Sequence, residues 1–243
     1  MAVYLPARTL SPFTTLGIAW CAFAVLLLAL TAFQVDTRLA DWLYRLQGDS
    51  WLLRRAFFTE VVLHEGGRRI SQVMASLVLV GLLVSHSVPA GRPWRRPLAY
   101  LLTAVALSTL TIAIVKHLVS MDCPWDLIRY GGSREFVGLF QRRPVTYPDV
   151  ACFPSGHASA GYAWIALYYF FHSTLPRWRW MGLALALSLG LVFGIGQQLR
   201  GAHFLSHDLW TLMLCWTLSF VLATKWLPDY PLSERSADAL SAV

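Results

Sequence analysis

The sequence contains few charged residues for its length. Asp, Glu, Lys and Arg make up 14% of its 243 residues, whereas soluble domains average about 25%. Hydrophobic residues account for 56% of the chain. This composition argues against an ordinary soluble domain and indicates a protein embedded in a membrane.

Charged residues are missing altogether from six stretches of the chain. A helix that spans the membrane needs about 20 mostly apolar residues, and all but the last stretch approach that length. We therefore predict an all-α fold, in which residues 1–243 form a single polytopic domain, a six-transmembrane-helix bundle. The first stretch exceeds the usual apolar core of a signal peptide, so we expect a retained anchor. The stretches are 13–33, 70–88, 98–115, 156–175, 180–199 and 209–224.

Positive charge is concentrated in two short loops. The chain carries a net charge of +7, and loops 91–97 (GRPWRRP) and 176–179 (PRWR) hold arginines but no acidic residue. Short loops with an excess of Lys and Arg stay in the cytoplasm. We expect a bacterial inner membrane protein with both termini cytoplasmic and with segments 34–69, 116–155 and 200–206 on the periplasmic side. The basic loops suit anionic lipid, and nothing in the sequence indicates a nucleic-acid partner.

The two long outer segments differ in their pattern. In 34–69, apolar residues recur at helical spacing with charges between them, which predicts a helix lying on the membrane surface. The HEGGRR sequence at 64–69 contains a glycine pair that is expected to end this helix. Segment 116–155 lacks apolar periodicity and is rich in Pro, Gly and Arg, as is typical of either a functional or a disordered loop. Residues 228–243 form a polar tail.

The four cysteines fall into two pairs by position. Cys21 and Cys215 lie within apolar stretches and are typical packing residues. Cys123 and Cys152 both lie in the outer segment 116–155. Because a bacterial periplasm is oxidising, we hypothesise a disulfide between Cys123 and Cys152; two free thiols are the alternative.

Three polar clusters fall at the predicted outer ends of helices. They are 116–127 (KHLVSMDCPWDL), 153–159 (FPSGHAS) and 200–210 (RGAHFLSHDLW). Ionisable residues in such positions are costly and are candidates for function. Because the predicted topology places all three clusters on the periplasmic side, we expect one active site there.

The FPSGHAS cluster has the pattern of an anion site. Ser155 suits the N-cap of a helix after Pro154, and Gly156 allows a ligand to approach the backbone closely. Free N–H groups at a helix start favour phosphate, and His157 falls in the first turn. A helix cap with an incidental histidine is the alternative reading. In the first cluster, Lys116 ends an apolar helix and suits either phosphate binding or snorkelling to the interface.

The RGAHFLSHDLW cluster also permits two readings. His203 and His207 are four residues apart and would share one face of a helix, so that with Asp208 they form a potential zinc set. The Glu of the HExxH hydrolase motif is absent. The second reading is a covalent site, which needs a nucleophilic histidine, a group that orients it and cations for the oxyanion. Arg200 is a cation of this kind.

Taken in order, the three clusters resemble the motifs of the type-2 phosphatidic acid phosphatase superfamily. The family motifs are Lys-x6-Arg-Pro, Pro-Ser-Gly-His and Arg-x5-His-x3-Asp. Here Lys116 precedes Cys123 and Pro124 at the right spacing, PSGH is complete at 154–157, and GAHFLSHD contains the third motif. The resemblance implies a six-helix membrane bundle whose site faces the outside.

The resemblance implies a role for each matching residue. His203 matches the nucleophile that takes the phosphoryl group, and His157 matches the acid that protonates the leaving group. Lys116, Ser155 and the backbone N–H of Gly156 match phosphate contacts. The implied reaction passes through a phosphohistidine that water resolves, with neither a metal nor another cofactor.

The chain departs from the family motifs at three positions. The first-motif arginine is Cys123, and the third-motif arginine is Gln197, with Arg200 about one helical turn later. The orienting aspartate is His207, followed by Asp208. Either of these two is able to accept a hydrogen bond from the nucleophilic histidine, and the sequence does not choose between them. Nearby residues that could replace the lost partners are Asp126, Arg129, Arg142 and Arg143.

We therefore expect an integral membrane phosphatase that acts on a lipid phosphate or lipid diphosphate. Candidate substrates are phosphatidylglycerol phosphate, phosphatidic acid, undecaprenyl diphosphate and lipid A phosphate. The alternatives are transfer of the phosphoryl group to a second lipid and a non-catalytic lipid-phosphate binder. A solute transporter is disfavoured because the polar residues cluster at one end of the helices. The sequence does not indicate an oligomeric state.

Overall fold

The fold is built from helices, as predicted. The computed structural model describes residues 10–139 and 141–227, so the polar tail predicted at 228–243 lies outside the described residues. Within them, the pairings of strand type are two isolated bridges, Met121 with Ala151 and Leu127 with Arg134. The α-helices of the described residues are α1 (Pro12–Ala32), α2 (Val35–Leu46), α3 (Gly67–Ser87), α4 (Arg92–Leu118), α5 (Gly156–Tyr162), α6 (Ala166–Thr174), α7 (Arg179–Leu199) and α8 (Leu205–Trp226).

Five helical stretches of the described residues are long and apolar enough to cross a membrane. The predicted span 156–175 is not one continuous α-helix, because a 3₁₀ turn at Ala163–Ile165 joins α5 to α6. The chain is a multi-pass membrane protein, and the sixfold count of spans stays a prediction. The five continuous stretches are Pro12–Ala32, Phe58–Ser87, Pro89–Leu118, Pro176–Leu199 and Leu205–Trp226.

Segment 34–69 contains a helix, as predicted, but this helix occupies only the first part of the segment, and its position on the membrane surface stays a prediction. The helix is α2, in which Ala40 and Leu43 are buried whereas Trp42 is 59% exposed. A short 3₁₀ turn, Leu52–Arg55, follows it. The amphipathic pattern therefore located the helix, and the last part of the segment, from Phe58 onward, belongs to the next candidate span.

The glycine pair in HEGGRR does not end a helix, so this part of the sequence prediction was wrong. A π-helix, Phe58–Gly66, continues directly into α3 and forms one candidate span with it. Gly66 and Gly67 both have helical backbone angles, with φ of −61° and −59°. A Cβ on Gly67 would lie 2.6 Å from the ring of Phe193. Close packing of α3 against α7 requires glycine here and outweighs its low helix propensity.

The core lies where α4, α5, α6, α7 and α8 meet. Buried aromatic rings there keep their polar atoms paired, since the Tyr100 hydroxyl donates to the carbonyl of Ser219 at 2.9 Å and Trp164 Nε1 donates to Ser71 Oγ at 2.9 Å. By contrast, α1 and the span that contains α3 are mostly exposed. Only 6% of the residues in the apolar stretch of each are buried inside the protein. Apolar faces this large indicate contact with lipid.

The three segments predicted to be outside meet at one end of the bundle. The Ser206 N–H donates to Asp36 Oδ1 at 2.9 Å, and the Trp125 N–H donates to the carbonyl of Gly201 at 3.0 Å. Arg129 pairs with Asp41. These contacts join segments 34–69, 116–155 and 200–206 and bring the three polar clusters together.

The loop that follows α4 belongs to the predicted outer segment 116–155 and is called the outer loop. An ion-pair cluster and a disulfide hold it in place. Asp122 pairs with Arg134 and accepts hydrogen bonds from Arg143 at 2.8 and 3.2 Å. Burial raises the pKa of the Asp122 carboxyl, but the hydrogen bonds from Arg143 and Arg134 outweigh this effect and hold the pKa below its usual value. Cys123 and Cys152 form a disulfide, with their Cα atoms 5.3 Å apart. The first polar cluster is thereby joined to the residue directly before the second.

Candidate active site

Two of the predicted phosphate ligands lie side by side. Lys116 is in the last turn of α4, and Gly156 begins α5. A Cβ on Gly156 would lie 3.3 Å from Lys116 Nζ, so the ammonium group reaches the backbone at the start of α5. The first and second clusters therefore meet at this point, and glycine leaves room for the lysine.

The second cluster is anchored to α8 through Ser155. Its backbone N–H donates to the carbonyl of His207 at 3.3 Å, and its own carbonyl accepts from Thr211 Oγ1 at 3.0 Å. The Ser155 hydroxyl is buried, and the carboxylate of Asp208 is the polar group beside it. Because a phosphate oxygen is also able to accept the hydroxyl proton, this group is a candidate to contact a bound phosphate.

His203 is buried between the second and third clusters, and its ring orientation is fixed by a hydrogen bond. Its Nδ1 lies 2.6 Å from the carbonyl oxygen of Cys152. Because a carbonyl only accepts, Nδ1 carries the proton and Nε2 of the neutral ring keeps its lone pair. Burial lowers the pKa of His203 well below its usual value, and nearby His207 and Lys116 lower the pKa further. His203 is therefore neutral at pH 7, as a nucleophile must be.

Neither of the two residues predicted to orient His203 is its main partner. The Nδ1 of His207 lies 3.4 Å from the Nδ1 of His203, a longer contact than the one to the carbonyl. Asp208 accepts a hydrogen bond from Gln198 Nε2 at 2.5 Å instead. The acceptor closest to the His203 ring is thus a backbone group, the carbonyl of Cys152, which the sequence analysis did not consider.

His157 is held by His64, to which the sequence analysis assigned no role. The two rings stack, with their centroids 3.9 Å apart and their planes 9° apart. The Nε2 of His157 contacts the carbonyl oxygen of His64, so this nitrogen carries a proton. His64 lies in the π-helix Phe58–Gly66, and π-helical turns are frequent at functional sites. Because the HEGGRR sequence was expected to end a helix, the sequence analysis did not predict this contact.

Comparison with known proteins identifies the family. Residues 97–229, more than half of the chain, match the family model described as the PAP2 superfamily. The chain belongs to the PAP2 superfamily. The resemblance inferred from the three motifs is thereby confirmed. A comparison with curated proteins gives no match.

A solved structure shares the PAP2 fold with this chain. It is the transmembrane PAP2-type phosphatidylglycerolphosphate phosphatase from Bacillus subtilis, with a TM-score of 0.54 and 17% sequence identity. The alignment covers 88% of this chain and 94% of that chain. At this identity the likeness concerns the fold, which is that of a membrane-embedded helical bundle.

Arg200 lies next to the position of the missing third-motif arginine of the PAP2 family. Its Nη1 is 3.5 Å from the side-chain oxygen of Gln197, which occupies that position. Its Nε donates to the carbonyl of Arg54 at 2.8 Å, and its Nη2 lies 3.7 Å from Glu60. The guanidinium is also close enough to His157 to act on it electrostatically. Arg200 therefore brings a positive charge to the histidine site from a shifted position.

The other residues considered as replacements have partners elsewhere. Arg129 pairs with Asp41, and Arg143 binds Asp122. Asp126 accepts a hydrogen bond from the N–H of Cys123 at 3.3 Å. These side chains stabilise the outer loop and its contact with α2, and Arg142 is exposed.

The zinc reading is not supported by the arrangement of the third cluster. Among the described residues, the group of three side chains close enough to hold an ion is Cys123, Asp126 and Cys152, and the disulfide uses both of its sulfurs. His203, His207 and Asp208 do not form such a group, since the carboxylate of Asp208 is bonded to Gln198.

A cavity of about 420 Å³ lies beside Lys116, between α3, α4 and α5. Its lining on α4 extends from Leu102 to Lys116, which corresponds to about 21 Å of helix. Arg68 and Gly156 line the same end as Lys116, whereas the opposite end is apolar. The cavity therefore has the length and polarity to hold an apolar chain with an anionic headgroup. His203 is buried, and Lys116 at the cationic end of the cavity is close enough to act on it electrostatically.

We predict that His64→Ala lowers kcat for phosphate release about two- to tenfold. A stacked ring pair contributes about 0.5–1.5 kcal/mol, and about 1.4 kcal/mol corresponds to a tenfold change in rate. Steady-state kinetics on a lipid phosphate in detergent measure the effect. His86→Ala is the matched control because His86 is exposed in the last turn of α3, at the other end of the same span. Equal kcat values for the two variants would contradict a role for His64.

Proposed function

We propose that this protein hydrolyses a lipid phosphate or lipid diphosphate through a phosphohistidine formed on His203. The observation that carries the proposal is the position of Lys116. Its ammonium group lies at the start of α5 and lines the apolar cavity, and it also acts electrostatically on the buried, neutral His203. One cation thus connects a space suited to a lipid with a histidine in the state of a nucleophile.

The proposed reaction uses each motif residue at a defined atom. Lys116, the Ser155 hydroxyl and the N–H of Gly156 bind phosphate oxygens, and Arg200 adds positive charge for the transition state. The lone pair on His203 Nε2 attacks phosphorus while the bond to the lipid oxygen breaks. His157 reacts in its doubly protonated form: its Nδ1 gives a proton to that oxygen, while its Nε2 keeps the proton that it donates to the carbonyl of His64. Water then attacks the phosphohistidine, Nδ1 of His157 takes a proton from the water, and inorganic phosphate leaves with His203 restored.

The distribution of arginines supports a proposal for the side of the membrane on which the site lies. At the end of the bundle opposite to the site, Arg95 Nε donates to the carbonyl of Ser85 at 2.8 Å and Arg96 contacts the carbonyl of Lys225 at 3.4 Å. Loops rich in arginine and free of acids stay in the cytoplasm. We therefore propose that the site faces the periplasmic side, where it acts on lipids of the outer leaflet.

The cavity supports a lipid substrate over a soluble phosphate ester. An apolar space along about four turns of α4 accommodates an acyl or prenyl chain, and a soluble sugar phosphate would leave it unfilled. The solved PAP2 relative is named for phosphatidylglycerolphosphate, so we take that lipid as the first candidate to assay, with phosphatidic acid, undecaprenyl diphosphate and lipid A phosphate after it. Transfer to a lipid acceptor instead of water uses the same phosphohistidine.

We predict that His203→Ala lowers phosphate release from the preferred lipid phosphate by on the order of 10³-fold or more, because nothing else replaces the nucleophile. The test measures inorganic phosphate released by purified wild-type and variant proteins from a panel of the four lipids. A chelator is expected to leave the wild-type rate unchanged. A variant with the wild-type rate would contradict the mechanism, and a wild-type protein that binds these lipids without turnover would indicate a non-catalytic binder.

Arg200 and Gln197 allow a second prediction. Arg200→Gln is expected to lower kcat/KM on the order of 10²-fold, as does loss of one donor to a transition-state oxyanion. Adding Gln197→Arg to that variant restores the arginine at its usual family position and should recover part of the loss. Both variants are assayed under the same conditions. No recovery in a folded double variant would show that Arg200 serves the fold through Arg54 and Glu60 and does not replace the motif arginine.

A further inference from the structure

We infer that the disulfide between Cys123 and Cys152 is a positioning device for the nucleophile, because it fixes the backbone carbonyl that orients His203. The inference rests on the proposed function. It assigns to the cysteine pair of this chain the orientation of the nucleophile, which the PAP2 motifs give to an aspartate. Cys123 occupies the position of the first-motif arginine. At this position the chain has one half of a disulfide and no cation.

The carbonyl of Cys152 is the closest acceptor to His203 Nδ1, at 2.6 Å. Neither group is free to take a different partner from water, since Cys152 and His203 are both only 7% exposed. A neutral carbonyl stabilises an imidazolium less than a carboxylate does. Its contribution to catalysis therefore depends on correct placement, which holds the proton on Nδ1 and leaves the lone pair on Nε2.

Cys152 is fixed from several directions. Its sulfur is bonded to Cys123, and its N–H donates to the carbonyl of Met121 at 3.3 Å. Three residues later, Ser155 is bonded to the carbonyl of His207. The short segment from Cys152 to Ser155 is thus tied at both ends, and the disulfide is its covalent tie to the first motif.

Opening the disulfide would give His203 another partner. If the carbonyl of Cys152 withdraws, the next acceptor is the Nδ1 of His207, which is 3.4 Å away. The ring of His203 would then rotate, and its Nε2 would leave the line of attack. A misplacement of about 1 Å is enough to cost about 10²-fold in rate. The structure therefore predicts a phosphatase whose turnover depends on an oxidised cysteine pair.

The first arm of the test is kinetic. A dithiol reductant opens the bond: the protein disulfide takes up two electrons and two protons to give two thiols, and the reductant becomes a cyclic disulfide. Iodoacetamide then caps Cys123 and Cys152, which mass spectrometry verifies. We expect kcat to fall about 10- to 100-fold while KM changes less than about threefold. Reoxidation of a reduced, uncapped sample should restore kcat.

Two variants separate positioning from loss of stability. Cys123→Ser/Cys152→Ser should show the low kcat without reductant and should not respond to reductant, which excludes effects on Cys21 and Cys215. Arg143→Gln breaks contacts to Asp122 and loosens the same loop while leaving the disulfide intact. It should lower thermal stability but retain most of the wild-type kcat.

The second arm does not depend on activity. Diethyl pyrocarbonate modifies neutral imidazole nitrogens, and peptide mass spectrometry measures the rate at His203. We expect the reduced protein to react at least about tenfold faster than the oxidised protein at His203, with no change at the exposed His86. Unchanged kcat and unchanged His203 reactivity after verified reduction would overturn the inference. A faster reaction at His203 in a protein without phosphatase activity would support the positioning role and remove the proposed function.

Discussion

The hydrogen bond from His203 Nδ1 to the carbonyl of Cys152 is the contact on which the candidate site depends. It decides which ring nitrogen carries the proton, and so which one has a lone pair for phosphorus. Because Cys152 is bonded to Cys123 and lies three residues before Ser155, this contact also connects the three PAP2 motifs. A shift of the segment from Cys152 to Ser155 would therefore disturb the proposed nucleophile and the proposed phosphate ligands together.

Where the chain departs from the PAP2 motifs, different groups supply the positive charge and orient His203. Arg200 brings a guanidinium near His157 from one turn beyond the usual position, and Arg68 lines the lipid-sized cavity together with Lys116. The aspartate that would orient the nucleophile has no direct counterpart, because Asp208 is bonded to Gln198. Burial keeps His203 neutral without a carboxylate, so a backbone acceptor is sufficient to set its tautomer.

The parts of the fold that depend on composition and spacing were predictable from the sequence. Apolar stretches located the candidate spans, helical spacing located α2, and the motifs pointed to Lys116, Ser155 and His203, which the structure brings near one another. The remainder depends on contacts between distant segments. The continuation of the helix through Gly67 depends on the ring of Phe193, and the stacking of His64 on His157 depends on how the π-helix Phe58–Gly66 meets α5. The role of Cys152 belongs to its backbone carbonyl, which every residue has.

The central claim is that His203 is the nucleophile and forms a covalent intermediate. The most direct measurement is to mix the protein with a lipid phosphate labelled in its phosphoryl group, stop the reaction within milliseconds in alkali and identify the labelled peptide by mass spectrometry. The account predicts a phosphoryl group on His203 that is stable in alkali, is lost in acid and disappears as phosphate is released. Label on a different residue, or turnover without any labelled histidine, would contradict it.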